Sequence, residues 1–203
     1  MSNTTLMSSI YNRIIELDSE SVFVSSDFSD MADINTVHQI LSRLEQSGKI
    51  QRIMTGVYYN PQFSQLLGEY EAPSPHNVAF AIARKLNWNI APSGNTALNQ
   101  LGLSTQVPAK WSYISDGPYK TYQFNKVEIE FKHRNNKEIS GMSYKTAMVI
   151  QALKELGVTN ISKEIIEHLK HTLTYSEKEL LLSEGKQTVS WIYEIIKQIC
   201  KED

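Results

Sequence analysis

Apolar residues in the first third of the chain switch between a helical period and short β-like runs. Leu6, Ile10, Ile14 and Leu17 recur at three- and four-residue steps, which predicts an amphipathic helix over residues 5–18 with Thr4 or Thr5 as N-cap. Ser21-Val22-Phe23-Val24 reads as a short strand, and Asp27-Phe28-Ser29-Asp30-Met31 as a brief helix capped by Ser26 or Asp27. After a tight turn at Ala32-Asp33-Ile34, the stripe Val37, Ile40, Leu41, Leu44 predicts a second amphipathic helix, which Gly48 stops. Ile50-Gln51-Arg52-Ile53 and Val57-Tyr58-Tyr59 flank Met54-Thr55-Gly56 with the spacing of a small hairpin that ends at Asn60-Pro61. Helix, short strand, helix, turn, helix, hairpin is the order of a winged helix-turn-helix, and residues 1–66 are assigned to one.

Residues 62–74, with Gly68, Pro73 and Pro75 nearby and no clear period, read as a linker, so a second unit is expected over 74–203. Helices are expected at Asn77–Leu86 and Asn95–Leu101, separated by the loop Ala91-Pro92-Ser93-Gly94. Alternation at Trp111/Tyr113, Tyr122/Phe124 and Val127/Ile129/Phe131, broken at Asp116-Gly117-Pro118 and Asn125-Lys126, predicts three antiparallel strands. Beyond Ser143 the helical period returns in three stretches: Ala147 to Leu156, Ile161 to Leu173 and Thr188 to Ile199. The fold class is α+β: an N-terminal winged helix, then a mixed α+β domain with a small antiparallel sheet and C-terminal helices.

Composition narrows the function classes. Hydrophobic residues make up 41% and charged residues 21% of the 203, as in an ordinary globular chain. The start, MSNTTLMSSI, lacks a signal peptide's charge and apolar run, and no stretch is apolar enough to span a bilayer, so a cytoplasmic location and no membrane partner are expected. Cys200 is the lone cysteine, which excludes an intramolecular disulfide and a cysteine zinc cluster. Net charge is −2, unlike a non-specific nucleic-acid binder. The first 60 residues hold four basic against seven acidic side chains, so any DNA contact must come from where the cations stand.

A helix entering the major groove reads base edges with polar side chains near its N-terminus. Asn35, Thr36, His38, Gln39, Ser42 and Arg43 lie opposite the apolar stripe, Gln39 with the amide geometry for adenine and Arg43 for guanine or a phosphate. Lys49, Arg52 and Thr55 stand where a wing meets the backbone. The same residues also suit the solvated face of an amphipathic helix used only for protein contact.

Two stretches carry a family resemblance. Ser42-Arg43-Leu44 with Gly48-Lys49-Ile50-Gln51-Arg52 and Gly56-Val57-Tyr58-Tyr59, and then Pro92-Ser93-Gly94-Asn95-Thr96-Ala97-Leu98-Asn99-Gln100-Leu101-Gly102-Leu103-Ser104-Thr105-Gln106-Val107-Pro108, resemble the AbiEi family of antitoxins. The resemblance runs over most of residues 5–160. It implies a type IV toxin–antitoxin partner: a winged helix that represses its own operon, and a C-terminal domain that neutralises an AbiEii-like nucleotidyltransferase toxin. It implies no catalytic residue; apart from the resemblance, no cofactor or metal is expected.

Other chemistry is sparse. Asp116 with Glu130-Phe131-Lys132 has the residue types of a metal-dependent nuclease, in which two carboxylates hold Mg²⁺ and a lysine positions water, though the same alternation fits the outer face of a sheet. His168 and His171, three apart, share a helix face with no thiolate or acidic partner in view. Ser93-Gly94 can offer backbone N–H groups to an anion or simply cap a helix. Phosphate-loop, zinc-protease and serine-hydrolase signatures are absent.

Overall fold

The computed structural model describes residues 3–18, 20–66, 68–135, 139 and 141–201. The chain is mixed α+β with small sheets and C-terminal helices, and it divides into two compact units, Met1–Trp88 and Asn89–Asp203. Among the described residues no helix is long and apolar enough to cross a membrane.

In the first unit α1 spans Asn3–Ile15, earlier than its apolar spacing suggests. Thr5 is therefore inside the helix, and Leu17, past its end, is partly exposed. Strand β1 (Val22–Phe23) leads into a 3-10 turn, Ser25–Phe28, which stands where a brief helix at 27–31 was expected. Helix α2 (Ile34–Gln46) starts at Asp33, whose carboxylate accepts from the backbone N–H groups of Asn35 and Thr36. It ends where Gly48 turns left-handed at φ 72° and Lys49 N–H returns to the Leu44 carbonyl. Val37, Ile40, Leu41 and Leu44 are buried with Ile10, Ile14, Phe23, Phe28, Ile50 and Tyr58 in one core. Phe23 meets Phe28 edge-on and stacks on Tyr58.

Strands β2 (Gln51–Met54) and β3 (Val57–Tyr59) form the expected hairpin, and β1 pairs with the other edge of β3, giving the order β1-β3-β2. The expected linker is instead a second hairpin of β4 (Gln62–Ser64) and β5 (Glu69–Glu71), closed by a cross-strand Phe63–Tyr70 pair. Three-residue strands are too short to show a period. Helix α3 (Pro75–Leu86), capped by Ser74 with proline in its first turn, packs on β1, β3 and the 3-10 turn. It belongs to the first unit, so the boundary falls after Trp88, in place of the sequence-based break between residues 66 and 74.

The second unit is built on a four-stranded sheet in the order β6-β7-β9-β8: β6 (Ile90–Pro92), β7 (Lys110–Ser115), β8 (Lys120–Phe124) and β9 (Val127–His133). Two expectations change here. Part of the presumed loop at 91–94 is strand β6, and β7 runs parallel to β9 while β8 turns back onto the far edge of β9. Trp111, Tyr113, Ile129 and Phe131 are buried as their alternation predicts, but β7 is buried on both faces, with Ser112, Ile114 and Ser115 inside as well. Helices α4 (Asn95–Gln100), α5 (Tyr144–Leu156), α6 (Lys163–Thr172), α7 (Tyr175–Glu184) and α8 (Ser190–Ile199) supply a second core around Leu98, Leu101, Val149, Leu153, Leu169, Leu181 and Ile196.

Candidate nucleic-acid interface

Helix α2 turns its polar side to solvent. Asn35, His38, Gln39 and Arg43 are exposed and Thr36 and Ser42 half-exposed, while every residue of the apolar stripe is buried. His38, Gln39, Ser42, Arg43 and Gln46 line a shallow open depression of about 420 Å³. Lys49, in the turn that ends α2, and Arg52 and Thr55 on the adjoining hairpin are exposed as well. The structure therefore brings all nine sequence-predicted residues to the surface of one unit, on α2, the turn that ends it and the β2–β3 hairpin that follows.

These residues differ in what already holds them. The Thr36 hydroxyl donates to Asp33 at 2.6 Å, and His38 Nε2 is hydrogen-bonded to Ser25 Oγ at 3.2 Å. The Lys49 ammonium lies 4.6 Å from the centre of the Tyr11 ring, and Arg52 is 3.8 Å from Glu45. Gln39 and Arg43 have no hydrogen-bond or ionic partner for their side chains among the described residues. They present an amide and a guanidinium to whatever approaches the face.

The acidic residues around this face are engaged inside the fold. Asp27 accepts from the Arg84 guanidinium and from Val24 N–H, and Asp30 from Arg13. The Thr36 hydroxyl, then its N–H, hold the Asp33 carboxyl below the usual carboxylate range, and the positive end of α2 favours the same anion. Asp27 and Asp30 are thus paired with arginines, whereas Asp33 stays ionised and exposed at the start of α2. A cleft of about 690 Å³ between Arg13, Phe23, Asp27, Phe28, Asn77 and Arg84 has both of its arginines held in these pairs.

The alternative sites separate. Glu130 receives Lys110, Lys132 and the Ser112 hydroxyl at 3.0–3.3 Å. Burial raises its affinity for a proton, but the lysine and serine hydrogen bonds outweigh this and leave the carboxyl below its ordinary value. Asp116 instead accepts both N–H groups of Asn89, at 2.8 and 2.7 Å. Asp116 follows the end of β7, whereas Glu130 pairs with Ser112, four residues back and about 13 Å along the strand. The two carboxylates are therefore not brought together, and among the described residues no cluster of His, Cys, Asp or Glu is arranged to hold a metal. His168 is hydrogen-bonded to the Leu101 carbonyl at 2.8 Å and His171 faces Glu167, so the histidine pair serves two different contacts.

The Pro92–Pro108 stretch is fastened internally. Ser93 N–H donates to the Ser112 carbonyl, Thr96 Oγ1 accepts from Ser112 N–H, and Asn99 donates to the Ser104 and Gln106 carbonyls. Cys200 is half-buried with its thiol on the Lys178 carbonyl, and burial pushes its pKa up. Sequence reasoning missed Lys85 and Arg84 of α3, because nothing in their spacing ties them to the hairpin or to Asp27.

No curated protein matches the chain. Among solved structures, the crystal structure of the Rv2827c protein from Mycobacterium tuberculosis is similar at a TM-score of 0.41 and 12% identity, over 97% of this chain and 76% of that one. The model of DUF6088, a family of unknown function, matches residues 9–181, and the chain belongs to that family.

Proposed function

We propose that the first unit is a winged helix-turn-helix that binds double-stranded DNA, with α2 in the major groove and the β2–β3 hairpin on the flanking backbone. On this reading the chain is a cytoplasmic autorepressor and the antitoxin of a type IV system, acting against a nucleotidyltransferase-like toxin. One observation carries the DNA reading: Gln39 and Arg43, without a partner among the described residues, face solvent on α2, and the exposed cations Lys49 and Arg52 follow in the next turn and strand. A bare solvated face has no need of that combination, whereas a groove offers acceptors to both kinds of group. The antitoxin half rests on the resemblance of Pro92 to Pro108 and of the first stretch to AbiEi proteins.

A gel shift against the DNA upstream of the chain's own coding sequence tests the first half. Wild type binds, Arg43→Ala and Arg52→Ala bind more weakly, and Gln39→Ala loses about 1–3 kcal/mol on the preferred sequence but little on scrambled DNA. No shift at low salt eliminates the reading. For the second half, co-expression with a nucleotidyltransferase encoded beside the gene should restore growth, and should still do so with Arg43→Ala; unrelieved toxicity removes the antitoxin role.

A further inference from the structure

Resting on the DNA-binding reading, we propose that Lys85 is a positioning residue: it props the tip of the β2–β3 hairpin so that Arg52 and Thr55 are held at a fixed height beside α2. Its place is set by α3. Val78, Ala81 and Ile82 are buried where the helix packs on β1 and β3. Lys85, three and four residues further on, leaves the helix on that same side. Its ammonium donates to the Thr55 carbonyl at the hairpin tip. Its stem fills the space where a side chain on Gly56 would project: a Cβ there would stand 3.2 Å from Lys85 Cε. Gly56 is also left-handed at φ 74°, a conformation that side chains disfavour, and a Cβ there would in addition push the lysine end aside by a few tenths of an ångström.

The hairpin needs such a support. Its strands are four and three residues long, and its register slips between Arg52 and Met54. A two-stranded ribbon of that size is marginal by itself, and an irregularity next to Arg52 leaves the direction of that side chain sensitive to how the tip is held. β1 secures the far edge of β3, while Lys85 is the side chain from α3 that hydrogen-bonds the turn itself. The alternative is that the lysine touches a phosphate directly, which the remaining N–H groups of its ammonium would permit.

Lys85→Met keeps the apolar stem on Gly56 and removes the donor; Lys85→Arg keeps a donor. Hydrogen exchange of the free protein over residues 51–59 should quicken around the turn in Lys85→Met and stay near wild type in Lys85→Arg. Affinity for duplex from the chain's own upstream DNA should fall roughly three- to tenfold in Lys85→Met, with the slope of log affinity against log salt unchanged, and recover to within about twofold in Lys85→Arg. Unchanged exchange at the turn overturns the proposal. So does a slope made shallower by about 1, which marks a phosphate contact. A wild-type chain that shifts duplex while Lys85→Met binds equally well sinks the positioning role alone. A wild-type chain that shifts no duplex sinks the DNA reading and the positioning role with it.

Discussion

Asp33 shows how one side chain serves both the fold and the candidate interface. It caps α2 through two backbone N–H groups and takes the Thr36 hydroxyl, and these bonds lower its folded pKa below the ordinary 3.8. A carboxylate with a lowered folded value adds stability that is fully present above its unfolded pKa and is lost as pH falls through the folded one. Protection of the Asn35 and Thr36 amides should therefore be flat from neutrality down to about pH 5 and decline below about pH 4. Asp33→Asn, which still caps, should remove that acid response, and an unaltered decline would deny Asp33 its part in it. The sequence made the exposed face legible because apolar spacing alone fixes which side of α2 is outside. It left hidden that His38 is already bonded to Ser25, since a partner thirteen residues away leaves no mark on a helical period.

Elements were legible where their periodicity was long and lost where it was short or broken. Helix α7 is the instructive case. Leu180, Leu181 and Leu182 are consecutive, so they point to three sides of the helix, and only Leu181 is buried. No stripe announces the element. What marks its start is Thr174-Tyr175-Ser176-Glu177, a capping box in which the Thr174 hydroxyl accepts from Glu177 N–H and Glu177 accepts from Thr174 N–H at 2.8 Å. Thr174→Ala should lower stability by about 1 kcal/mol, read as a reduced urea midpoint at unchanged slope; an effect near zero would mean the helix is set by its packing alone. The parallel pairing of β7 with β9 escaped for another reason. Alternation says which faces are buried and nothing of which strand lies between which, and the turn at Asn125, with φ 52°, fixes only the β8–β9 hairpin.

Across the whole chain, acids and bases nearly cancel at a net charge of −2, and residues 1–88 hold six basic against nine acidic side chains. A protein so balanced cannot hold DNA by a general positive field, so the few cations on the candidate face must account for the salt dependence. Arg43, Lys49 and Arg52 are those cations, and Lys85, bonded to the Thr55 carbonyl, is not counted among them. Three phosphate contacts on B-form DNA give a slope of log affinity against log salt of about −3 per bound chain, hence a loss of about fortyfold between about 50 and 200 mM. If Arg43 reads a guanine edge instead, the slope drops to about −2 and Arg43→Ala changes sequence preference without changing the slope. Fluorescence anisotropy on one labelled duplex across that salt range distinguishes the two. A slope far steeper than −3 per chain would place basic residues from elsewhere in the molecule on the DNA, so α2 and its hairpin would no longer suffice as the binding surface.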